Sequence, residues 1–105
     1  MSNEKYIRSR SASHFSIKGV EVWVKDPLPS GFNLRNVVEK LFDSVPSHLM
    51  TNLDIIYVGN FKELRDRKIQ AMYTDSSIFA TNDHDSEMGM LDDLIHEVAH
   101  SVEEQ

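Results

Sequence analysis

The 105-residue sequence has no cysteine, so a disulfide framework, a cysteine-ligated zinc knuckle and a thiol nucleophile are all excluded. Any metal must be held by histidine and carboxylate. Proline and glycine are sparse, at three and four residues, which excludes collagen-like and low-complexity chains. No run approaches the ~18 apolar residues of a membrane span, and the polar start from Met1 to Ser13 lacks the apolar middle of a secretory signal. The expected location is therefore cytoplasmic, with no membrane partner. Positive charge is also short: 11 Lys and Arg face 17 Asp and Glu, a net charge of −6. The resulting field repels phosphate backbones, and nucleic acid is not expected as a partner.

What is present suits one small domain, with 40% hydrophobic and 27% charged residues. Residues 1–13 (MSNEKYIRSRSAS) offer little to bury against the entropy of ordering and read as a flexible basic, serine-rich tail, leaving 14–105 as the folded unit. From His14 to Lys25 apolar residues alternate, changing parity at Gly19, which predicts a strand bulged at that glycine. Asp26 to Gly31 is a loop. Asn33 then caps a helix in which Leu34, Val37, Val38, Leu41, Phe42 and Val45 recur at helical spacing until Pro46. Ile55 to Val58 is a continuous apolar run, as expected of a central strand covered on both sides. Asn60 and Glu63 resemble a capping box for a short helix to about Lys68. Ile69 to Thr74 and Ser77 to Thr81 flank Asp75-Ser76, predicting a hairpin or a strand followed by an edge strand, and a last helix spans about Glu87 to Glu104. The expected class is α+β: a small mixed β-sheet with a backing helix and a C-terminal motif helix.

That last helix contains His96-Glu97-Val98-Ala99-His100, an H-E-x-x-H sequence. With Leu91 set at 0° and about 100° per residue, Leu91, Leu94, Ile95, Val98 and Val102 form the expected buried stripe. His96 and His100 then fall at about 140° and 180°, and Glu97 at about 240°, all on the polar arc. Two neutral imidazoles one turn apart can bind one Zn²⁺ at about 2.1 Å each. Glu97 is then placed to act as general base on a water whose pKa the ion brings down to about 7, as it attacks a peptide carbonyl. A chain of this composition contains the motif by chance only roughly 0.02 times. The competing structural reading is an acidic solvated face made by Asp92, Asp93, Glu97, Glu103 and Glu104.

On these residues the sequence resembles the zincins, the H-E-x-x-H zinc metallopeptidases, and within them the gluzincin branch. The resemblance spans most of residues 14–105: a strand, a backing helix, further strands, a strand just ahead of the motif, then the motif helix. It implies a zinc-dependent peptidase acting on a peptide or protein substrate, with His96 and His100 as metal ligands and Glu97 as the catalytic base. It also implies that the strand before the motif helix pairs with substrate backbone, so that Ser77, Ile78, Phe79 and Ala80 offer an edge to an extended peptide. Zincins draw a third protein ligand from beyond the motif helix, where only Ser101 to Gln105 remain here. The expectation is a domain that continues past Gln105 and is weakly active or inactive at this length. His84 and Asp85 are read as a turn and helix cap rather than as ligands. The alternative is a non-catalytic zincin-like module for peptide binding or protein interaction.

Overall fold

The computed structural model of the chain describes residues 14–103, so the tail expected at 1–13 lies outside the described residues, as do Glu104 and Gln105. The first apolar stretch forms two strands, β1 (His14–Ile17) and β2 (Val20–Val24), paired antiparallel with Ile17 opposite Val20. Between them Lys18 and Gly19 have φ of +50° and +86°, a two-residue turn whose twist suits a hairpin. The parity change at Gly19, expected to mark a bulge, is a chain reversal.

Helix α1 (Leu34–Ser44) starts where Asn33 Oδ1 accepts the Asn36 N–H at 3.0 Å, and Leu34, Val37, Val38 and Leu41 line its buried side. A 3₁₀ turn (Ser47–Met50) leads to β3 (Ile55–Gly59). In the short helix α2 (Lys62–Arg67) the expected capping box does not form: Phe61 occupies the cap position, and the Asn60 side chain is bound by Arg65 instead. Strands β4 (Ala71–Thr74) and β5 (Ser77–Thr81) are joined by Asp75 and Ser76, both at positive φ, a second two-residue hairpin. Helix α3 (Glu87–Glu103) completes the chain.

The five strands form one mixed sheet in the order β1-β2-β3-β5-β4. β2, β3 and β5 run parallel, and β1 and β4 are antiparallel edges. The class is α+β, as expected. On one face Val20, Val22, Val24, Ile56, Val58, Ile78 and Ala80 join α1 and α3 in a single core. β3 is central, as its apolar run predicts, but its two faces differ: Ile56 and Val58 are fully buried, while Ile55 and Tyr57 are half-buried. The other face carries a row in register across all five strands: His14, Trp23, Tyr57, Phe79 and Met72. His14 stacks on Trp23 and Tyr57 on Phe79, with ring centroids 3.8 Å and 5.0 Å apart.

The buried arc of α3 differs from the expected stripe. Met90, Leu94, Glu97, Val98 and Ser101 are buried, Leu91 and Ile95 lie at the margin, and Val102 is 38% exposed. The arc is rotated by about 70° toward Glu97. The cause is position: α3 packs against α1 and alongside edge strand β4, so its inner side must meet a strand edge as well as a sheet face. Leu94 is fully buried at the centre of this arc. Leu94→Ala should therefore cost about 2–5 kcal/mol in urea unfolding, and a loss below 1 kcal/mol would contradict the packing described.

Candidate functional site

Three local contacts start α3 and fix it to the rest of the fold. Ser86 Oγ accepts the Gly89 N–H at 3.0 Å and so caps the first turn. Glu87 reaches back to the start of α1, where its carboxylate accepts the Asn33 N–H at 2.9 Å and the Asn36 side-chain amide at 3.3 Å. His84, 5% exposed, bridges the end of β5 to the helix, with Nδ1 2.9 Å from the Thr81 carbonyl oxygen and Nε2 2.8 Å from Asp93 Oδ2. The loop histidine thus folds back over the helix, but onto Asp93 rather than onto the motif histidines.

So held, α3 exposes His96 and His100, whose Nε2 atoms lie 3.0 Å apart with the rings edge-on. At this separation one ring donates N–H to the lone pair of the other. Two imidazole nitrogens bound to one tetrahedral ion at about 2.1 Å are about 3.4 Å apart, so a small ring rotation, together with loss or transfer of the proton the two Nε2 atoms share, would convert the pair into a chelate. His100 Nδ1 lies 3.4 Å from Glu103 Oε2, which favours the Nδ1–H tautomer and leaves Nε2 as the donor atom. The ligand atoms of His96, Glu97 and His100 all lie within 4.8 Å of one another, the metal-ligand cluster among the described residues.

Glu97 is not on the solvated arc that its helical angle suggests. It is 9% exposed, and its Oε1 accepts the Tyr73 backbone N–H at 2.9 Å. That N–H is on the outer edge of β4. Because Gln70 O accepts from Thr81 N, alternation of the antiparallel ladder turns Met72 and Thr74 toward β5, and Ala71 and Tyr73 away from it. The motif and β4 form two walls of a cleft of about 650 Å³, and Glu63 and Arg67 of α2 also line it. A depression of about 720 Å³ lined by Phe15, Phe32 and Arg35 contains no motif residue.

The structure brings His96, Glu97 and His100 together as expected, but not the four residues expected to receive a peptide. Ser77, Ile78, Phe79 and Ala80 lie in β5, hydrogen-bonded to β3 on one side and β4 on the other, so they have no free backbone edge. Ile78 and Ala80 are moreover core residues. The strand edge facing the cleft is β4. Tyr73 was invisible to motif reading because its contribution is a backbone amide, which no side-chain pattern signals. The burial of Glu97 had a faint signal in Met90, Leu94 and Ser101, which share its side of the helix.

No protein-family model, curated protein or solved structure matches the chain. No helix among the described residues is long and apolar enough to cross a membrane.

The Glu87 junction gives a pH signature. Its carboxyl is held below the usual value, first by the Asn33 N–H and next by the Asn36 amide, with a weaker attraction from Lys40 and an opposing effect of desolvation. A carboxyl lowered on folding contributes stability above its unfolded value and loses it as pH falls through the folded value. The difference in stability between wild type and Glu87→Gln should thus be largest near neutral pH and shrink in acid, measured by urea melts across pH 2 to 7. A difference independent of pH would contradict the junction.

Proposed function

We propose that this chain carries the catalytic motif of a zinc-dependent metallopeptidase of zincin type, in which His96 and His100 hold the metal and Glu97 is the base. The observation that carries the reading is the pair of Nε2 atoms 3.0 Å apart beside a buried carboxylate, on the wall of a cleft bordered by the edge strand β4. The architecture is compatible with an N-terminal zincin subdomain, with α1 as backing helix behind the sheet and α3 as motif helix. Zinc held there would polarise a carbonyl and lower the pKa of a water to about 7.

The chain's own groups then have distinct tasks. With the proton they share removed, His96 and His100 would each present an Nε2 lone pair from one rigid helix face, Glu103 steadying the second ring. Glu97 uses one carboxylate oxygen to hold Tyr73 and has the other free to take a proton from the attacking water and pass it to the departing amine. Apart from the Tyr73 N–H, which Glu97 occupies, the outward-facing backbone of β4 offers hydrogen bonds to an extended peptide lying in the cleft. Among the described residues no histidine or acid from another element joins the cluster. The 105-residue chain by itself is accordingly expected to bind zinc weakly and turn over little, and a longer chain that supplies a third ligand is expected to be active. The same observation favours the second reading, a peptide-binding module of this fold without turnover.

Titration calorimetry with Zn²⁺ separates the outcomes. Wild type should bind one equivalent, His96→Ala should lose at least about tenfold in affinity, and Glu97→Gln should retain binding. Equal heats for wild type and His96→Ala would refute the metal site. An extended chain that holds zinc firmly but cleaves no member of a mixed peptide library would leave the binding module as the function.

A further inference from the structure

We propose that the backbone N–H of Tyr73 reserves Glu97 as a base, by holding its carboxylate against β4 so that it does not become a metal ligand; the inference rests on the metallopeptidase reading. Distance alone would allow ligation. The carboxylate lies within 4.8 Å of both imidazole donor atoms, and carboxylate oxygen is a good zinc ligand. A third bond from Glu97 would use the coordination position that hydrolysis needs for water and remove the base at the same time.

The opposing force is a hydrogen bond that the side chain cannot give up without loss. Tyr73 N–H is fixed by the strand, faces away from β5 and has no strand partner on that side among the described residues. Its acceptor is Glu97 Oε1 at 2.9 Å, in a part-buried contact. If Glu97 swung toward the metal, a partly buried amide would lose its partner, the costly side of hydrogen-bond energetics. The exposed histidines meet no such restraint from β4 and are free to turn toward an ion. Tyr73 is thus a positioning residue, and it acts through its backbone.

Tyr73→Pro removes this N–H without removing a ladder bond, because the amide does not point at β5, and proline is tolerated at such edge positions. Tyr73→Ala keeps the N–H and controls for loss of the ring. Each variant, with and without Glu97→Ala, would be titrated with Zn²⁺ against a chromophoric chelator and with Co²⁺ by visible absorption. Tyr73→Pro is expected to bind about tenfold or more tighter than Tyr73→Ala, with a changed cobalt spectrum, and both differences should vanish in the Glu97→Ala background. Hydrogen exchange on wild type provides a reading independent of the proline variant. The Tyr73 amide should be protected both with and without Zn²⁺, and exposed in Glu97→Ala. Equal affinities for folded Tyr73→Pro and Tyr73→Ala, or loss of Tyr73 protection on zinc loading, would overturn the proposal while leaving the metal site intact. Absence of zinc binding by wild type would overturn both.

Discussion

The bond between the Tyr73 amide and Glu97 ties the last helix to the edge of the sheet, and the geometry of the site follows from where that bond lies. A carboxylate that is 9% exposed requires a strong donor, and an unpaired edge amide requires an acceptor. Each solves the problem of the other. Once Glu97 faces β4, the helical repeat leaves no freedom for its neighbours: His96 and His100 emerge on the solvent side, at the lip of the cleft. The bond also blunts one position of an edge strand that would otherwise present open backbone to other chains.

Two further contacts set the azimuth of α3. Glu87 binds the first turn to the start of α1, and His84 binds the second turn, through Asp93, to the end of β5. With Leu94 between these polar contacts and the Glu97 bond, and Val98 just beyond it, the helix is pinned from its first turn to its middle and along its apolar arc. A metal site of the kind proposed, which would hold two imidazoles at a fixed spacing, would gain from such support, because geometry looser by about an ångström would lose the chelate.

The order and type of the elements were legible from Leu34 onward, because helical spacing, Asn33, Pro46 and the run at Ile55 are local signals. The first hairpin is not distinguishable in the sequence from one bulged strand, since a parity change at a glycine signals either, and the decision rests on whether two short strands can pair. The three motif residues were legible because their spacing is itself local. The position of β5 was not. The Asp75-Ser76 turn marks a hairpin without saying which of its strands lies outside, and that is settled by the parallel pairing of Ile55 to Gly59 with Ser77 to Thr81. The angle of α3 is hidden from the sequence for a related reason. Counting only apolar residues assigns Glu97 to solvent, whereas a helix beside a strand edge can bury an acid whose partner is backbone.

The far face of the sheet bears on the site through register. His14, Trp23, Tyr57, Phe79 and Met72 stand side by side across the strands, and stacked cross-strand pairs favour this alignment over its neighbours. A slip of β4 by one residue against β5 would exchange the two faces, placing Met72 among the core residues and Tyr73 on the aromatic side. It would also exchange the two edges of the strand, turning the Tyr73 amide toward β5 and presenting a different amide to Glu97. The hairpin turn at Asp75-Ser76, the Met72 to Phe79 pairing and the burial of Ala71 all oppose that slip. The direction of one backbone N–H at the site is thereby fixed by the register of β4, to which the turn, the core face and the opposite face of the sheet all contribute, which is why no motif confined to α3 could specify it.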